Sequence, residues 1–143
     1  MTHKRPWHLW LVGTMAILWN AIGAVDYLMT HTKNATYMEN FNAAQLEYFY
    51  NLPSWFVAVW AIAIWSAVLA SILLLLGRRL SAQLFLVSLI ALIVTDIYSF
   101  GLSEGYEIIG GTPASLAFPA AIAVIAIALY CYANNMSSKG VLK

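Results

Sequence analysis

One cysteine and very little charge set the first limits on this chain. A lone thiol, Cys131, excludes an internal disulfide, a CxxC redox pair and a cysteine-based zinc site. Charged residues make up 9% of the sequence, against roughly 25% in a soluble globular domain, too few to cover a surface against water. The net charge of +1 carries no basic stripe, so nucleic acid is not an expected partner. Histidines are few as well. His3 and His8 fall at one boundary and His31 at another, so no pair can face across the middle of a bundle to hold a haem. No HExxH, nucleophile elbow or paired-carboxylate metal motif is present. No metal, cofactor or catalytic residue is therefore expected, and an enzyme is the least supported class.

Apolar sequence, by contrast, is abundant, at 62% of the chain. It falls into four runs, at about 7–29, 54–77, 81–103 and 113–133, none containing Lys or Arg. Each is long enough to cross a hydrocarbon core, which takes about 20 helical residues. The expected fold is all-α: one domain, residues 1–143, built as an integral membrane bundle of four antiparallel transmembrane helices. The first run is longer than a secretory signal core and is expected to remain as a span. Between the first two runs, Asn42 and Gln45 make a capping-box pattern and Pro53 bars continuation, which predicts a short amphipathic helix. Its Leu46, Phe49 and Tyr50 would press into the membrane surface or onto the bundle mouth. Thr112-Pro113 marks the start of the fourth helix, and Pro119 is expected to kink it a turn later.

Charge sets an orientation. Lys4, Arg5, Arg78, Arg79, Lys139 and Lys143 fall on one side of a four-span topology, with only Lys33 opposite. The acids Asp26, Glu39, Glu47, Asp96, Glu104 and Glu107 lie toward the Lys33 side. By the positive-inside rule both termini are cytoplasmic. Trp7, Trp10, Tyr130 and Tyr132 would mark the inner interface, and Tyr27, Trp55, Tyr98 and Tyr106 the outer one. The lipid bilayer is the first partner, and Arg78-Arg79 would meet its anionic head groups.

Few polar residues fall inside the spans, and these are the candidates for function. Gly13, Ala16, Asn20, Gly23 and Tyr27 recur at helical spacing on the first helix. Such a stripe is a packing seam on one reading, with Gly13, Ala16 and Gly23 letting a neighbour approach closely. On the other, Asn20 is a pore-lining or ligand-binding amide. Asp96 lies about seven residues, or roughly 10 Å, inside the outer end of its helix. A carboxylate at full depth costs about 2.5 kcal/mol or more, so it should face protein or water. It would carry a proton or bind a solute, unless Thr95, Ser99 or a tyrosine hydroxyl satisfies it as a helix tie. Asp26 lies within a turn of the outer boundary, as an interfacial acid or as the second acid of an outward vestibule. Asp96, with Asn20 and Tyr98 as hydrogen-bonding neighbours and Asp26 at the mouth, forms the candidate solute or proton site.

Several segments resemble a family of small four-helix bacterial inner-membrane proteins. They are Trp7-His8-Leu9-Trp10, the stretch from Leu18 to Ala24, Asp26 to Thr30, and Tyr48-Phe49-Tyr50 ahead of Pro53-Ser54-Trp55. Leu73 to Leu76 before Arg78-Arg79, and Tyr98 with Gly101-Leu102-Ser103, complete the likeness, which spans most of the chain. Members often carry the label sugar transporter. The resemblance implies transport but no particular site residues. Two better-known groups are not matched. The drug-exporting four-helix family carries a glutamate in its first span, and the small sugar exporters of three-helix units carry a proline-glutamine pair, and this chain has neither. The expected function is binding or transport of a small polar solute such as a sugar, in a proton-coupled form if Asp96 titrates. The alternative is a non-catalytic accessory subunit docked on a larger membrane complex. Four helices leave little room for a polar pathway, so transport would call for a homo-oligomer.

Overall fold

The structure, a computed structural model, describes residues 4–143; His3 lies outside them. Among the described residues it is all-helical. The long helices are α1 (Trp7–His31), α4 (Ser54–Leu75), α5 (Leu80–Ile97) and α7 (Ala117–Ser138), and three short ones lie between them: α2 (Ala35–Met38), α3 (Ala43–Tyr50) and α6 (Gly105–Ile108). A π-helical turn, Tyr98–Leu102, extends α5, and a 3₁₀ turn, Pro113–Leu116, leads into α7. Four continuous helical segments, Trp7–His31, Ser54–Leu75, Leu80–Leu102 and Pro113–Ser138, are long and apolar enough to cross a membrane. The chain is a multi-pass membrane protein with apolar helices suited to contact with lipid.

The expected boundaries hold to within a few residues except at the end of α7, which reaches Ser138. Asn134 and Asn135 do not stop it, because the next turn buries Met136 in the core. Termination waits for Gly140, whose φ of 71° lets the Gly140 N–H bond to Ser137 O and the Val141 N–H to Met136 O, both at 3.0 Å. Pro119 falls in the first α turn of α7, where its missing N–H leaves no helical bond unmade.

The helices pack in sequence order, α1 on α4, α4 on α5 and α5 on α7. Small residues make the α4–α5 seam: Ala63, Ala67 and Ala70 meet Ser81, Ser88 and Ala91, all buried. Ser88 donates to Ala63 O at 2.6 Å and Ser81 to Ala70 O at 2.9 Å, so polar side chains in the seam are satisfied by the facing backbone. The α1 stripe faces α4. A Cβ on Gly13 would lie 2.9 Å from Leu75 Cδ1, one on Gly23 would lie 3.3 Å from Ile64 Cδ1, and Ala16 is buried. Between α1 and α7, longer side chains reach across. The His8 ring nitrogen shares a 2.5 Å hydrogen bond with the Tyr132 hydroxyl, and Trp19 packs on Phe118.

The core lies at the end that carries the basic residues. Leu9, Leu74, Phe85, Ala133 and Met136 bring all four long helices together, with Leu142 of the C-terminal tail packed among them. One side-chain and two backbone hydrogen bonds knit the same end. Arg5 Nη2 donates to Leu76 O at 2.9 Å, Arg79 N–H to Lys143 O at 3.0 Å, and Lys143 N–H to Gly77 O at 2.8 Å. At the opposite, acidic end the helices carry aromatic and polar side chains, and α2, α3 and α6 close over the mouth.

Candidate functional site

The region around Asp96 is built by a change in helix geometry. α5 carries Asp96 in its last α turn and then widens into the π turn Tyr98–Leu102. Such turns often mark functional segments, because they break the regular ladder and re-aim side chains. The short helices clamp onto this one. Ser103 Oγ donates to Ser99 O at 3.1 Å and lies 2.8 Å from the Tyr48 hydroxyl. With the Ser103 proton so used, Tyr48 is the donor to Ser103 Oγ. Gln45 Nε2 donates to Ile108 O at 3.3 Å, tying α3 to α6. Gly105 makes the fit possible, since any Cβ there would collide with the Ser99 carbonyl and lie 3.0 Å from the Tyr48 oxygen.

Beneath this cover lies a cavity of about 270 Å³. α3 contributes Tyr48 and Phe49; α4 contributes Trp60; α5 and its π turn contribute Leu92, Asp96, Ser99 and Phe100. Gly105, Ile108 and Ile109 line it from the α6 side, and Pro119 and Ile122 from α7. Among these residues Asp96 is the one carboxylate, and no Lys, Arg or His accompanies it. Its sequence neighbours are engaged elsewhere. Thr95 Oγ1 donates to Leu92 O at 2.8 Å, and the Tyr98 ring packs 5.1 Å from both Trp55 and Phe56. Among the described residues no side chain donates a hydrogen bond to the Asp96 carboxylate, which faces the cavity half-buried.

The other expected site residues lie apart from it. Asn20 Nδ2 donates to Ser71 Oγ at 2.8 Å, and that hydroxyl donates on to Ala67 O at 2.7 Å, which fixes the amide in the α1–α4 seam. Asp26 accepts a short hydrogen bond from the Tyr37 hydroxyl, while Tyr37 N–H bonds to the capping Asn34 Oδ1 at 3.0 Å. Burial, then the hydrogen bond and negative charge of Asp26, push the Tyr37 hydroxyl up to about 12. Asp26 thus latches α2 to α1. Tyr98 lines an adjoining groove of about 350 Å³ with Glu47 and Glu104, across Tyr48 and Ile108 from the cavity. The four residues therefore occupy four places, and Asp96 alone lines the cavity.

Several lining residues carried no clear sequence signal. Tyr48 lies in the polar segment between spans without a signal of its own, whereas Phe49, expected on the membrane surface or the bundle mouth, lines the cavity. Trp60, inside the second span, borders the cavity and also packs 5.1 Å from Tyr27 and 5.3 Å from His31. The His31 Nε2 is buried in this aromatic cluster without a hydrogen-bond partner. No three His, Cys, Asp or Glu side chains among the described residues converge as a metal site would require. No protein-family model, curated protein or solved structure matches the chain.

Proposed function

We propose that the chain binds and passes a small polar solute across a bacterial inner membrane, with the Asp96 cavity as its binding site. What carries this reading is an unpaired carboxylate facing a cavity of about 270 Å³ within the span-bearing part of the molecule. An acid kept in that setting is costly, so it is a functional candidate by default. Its lack of a protein partner leaves its charge available to a solute or a proton. The positive-inside rule, applied to six of the seven basic residues, puts the basic end in the cytoplasm and the cavity toward the outside. The likeness to the family labelled sugar transporter points the same way. Asn20 and Asp26, held by Ser71 and Tyr37, serve the scaffold, and the solute's first contact is Asp96.

The test is uptake into vesicles containing the purified protein, from a panel of labelled monosaccharides, amino acids and small organic cations. At least one should accumulate above protein-free vesicles, and Asp96→Asn should abolish that uptake while leaving the protein monodisperse. Uptake unchanged by Asp96→Asn would refute the role of the carboxylate. A panel giving no signal would refute transport.

One observation favours an accessory subunit instead. α7 is the least covered of the spanning helices, with Phe118, Val124 and Ile127 all exposed. In a larger complex this face would be the docking surface. Native mass spectrometry of the lipid-extracted protein separates the readings: a homo-oligomer alone supports transport, and stoichiometric capture of a larger membrane complex supports the accessory role.

A further inference from the structure

Resting on that reading of the Asp96 cavity, we infer that its solute is a small organic monocation with an apolar body, such as an aryl-substituted quaternary ammonium. The charge of the lining decides the sign. Asp96 faces the cavity with no Lys, Arg or His beside it, so an anion would meet repulsion in a poorly solvating site. The inventory of hydrogen-bonding groups decides between a cation and a neutral polyol. The Tyr48 proton goes to Ser103 and the Ser103 proton to Ser99 O, which leaves Asp96, the Ser99 hydroxyl and the single N–H of the Trp60 indole to replace a sugar's hydration shell. Groups stripped of water without partners oppose binding, and a sugar would bring several.

An inorganic cation fits no better. It needs several oxygen ligands at fixed distances, and the described residues bring no such cluster together. A quaternary ammonium has the opposite needs. It has no hydrogen bonds to lose, its charge is met by one carboxylate, and aromatic faces attract it through their quadrupoles. Trp60, Phe49, Phe100 and Tyr48 supply those rings around Asp96. Trp60 is itself braced by Tyr27 and His31, so its indole keeps its place without a ligand. Ile109 and Ile122 complete an apolar wall for the body of the molecule.

The experiment is calorimetric titration of the detergent-solubilised full chain with benzyltrimethylammonium and, separately, with glucose. Three proteins are compared: wild type, Asp96→Asn and Trp60→Leu, each first shown to be helical and monodisperse. The inference predicts saturable binding of benzyltrimethylammonium, weakened at least tenfold in Asp96→Asn and several-fold in Trp60→Leu, with no competition from glucose. Saturable glucose binding that is lost in Asp96→Asn, without binding of the cation, would overturn the solute class and leave the cavity reading standing. Failure of both probes to bind in an Asp96-dependent manner would overturn the inference and count against the cavity reading itself. Cation binding unaffected by either substitution would place it in the micelle rather than in the cavity, and would equally overturn the inference.

Discussion

At the basic end, Leu9, Ala70 and Leu74 are at most 1% exposed, and three backbone bonds or caps join the N-terminal segment, the α4–α5 turn and the C-terminal tail. At the acidic end α4, α5 and α7 line a cavity together with the short helices α3 and α6, which bridge its mouth through side-chain hydrogen bonds. The two ends also stop their helices differently. α4 ends on Gly77 with φ of 70°, a conformation glycine adopts freely, whereas α1 makes the same kind of turn with Lys33 at φ of 51°. Small residues explain the contrast. Alanine and serine let α4 and α5 close where Ala67, Ala70, Ser81 and Ser88 face one another, while the larger Trp60, Phe100 and Pro119 line the cavity of the acidic half. Tight packing at one end provides a fixed frame, and the other end keeps a cavity lined by Asp96.

The largest expected effect breaks that frame. Ala70→Leu forces a larger side chain into a fully buried position and should destabilise the protein by about 1–3 kcal/mol. Ile122→Phe, which adds similar bulk to a cavity wall, should leave thermal stability in detergent essentially unchanged while suppressing ligand binding. Comparable losses of stability in both variants would erase the distinction between the ends.

Next comes the cover over the cavity. Gly105→Ala puts a Cβ against the Ser99 carbonyl, so backbone must move, at a cost of about 1 kcal/mol or more. Faster amide hydrogen exchange in α3 should accompany it, since α3 is tied there through Tyr48 and Gln45. Unaltered exchange would mean that α3 is held by something other than this contact.

A smaller effect concerns the α2 latch. The Tyr37 hydroxyl is raised from 10.0 to about 12 in the fold. The folded state therefore holds that proton more tightly than the unfolded one. The latch stabilises fully below pH 10 and loses its contribution as pH rises through 12. In spectrophotometric titration the tyrosine that ionises near 12 in the wild type should ionise at lower pH in Asp26→Asn, which removes the hydrogen bond and the charge but not the burial. Identical titrations would separate Tyr37 from Asp26. The smallest effect is the Asn20–Ser71 bond of 2.8 Å. A double-mutant cycle with Asn20→Ala and Ser71→Ala should give a coupling of about 0.6 kcal/mol, typical of interhelical bonds in membranes.

Much of the scaffold was legible in the sequence for plain physical reasons. Apolar runs as long as the hydrocarbon is thick fix the spans, Asn42 with Gln45 forms the capping box that its spacing predicts, and the Gly13–Gly23 stripe faces a neighbouring helix. Of the residues that line the cavity, the sequence singled out Asp96, because an acid inside a span stands out by its cost. Asn20, Asp26 and Tyr98 matched the same rule, yet their partners Ser71, Tyr37 and Trp55 lie on other elements, and no local pattern gives those pairings. The π turn after Asp96 left no sequence mark beyond the small residues Ser99, Gly101 and Ser103 at alternate positions. Tyr48 and Phe49 reach the cavity from a segment whose placement depends on the tertiary fit at Gly105.

The most direct test of this two-ended molecule is thiol accessibility in membrane vesicles. The exposed Cys131 is first replaced by serine, and single cysteines are then introduced as Ser99→Cys and Ala70→Cys. A membrane-impermeant methanethiosulfonate should modify the cavity cysteine from the acidic side and be slowed by benzyltrimethylammonium, while the seam cysteine stays unmodified. Equal labelling at both positions, or a cavity cysteine that no reagent reaches, would contradict an open acidic end built on a sealed basic one.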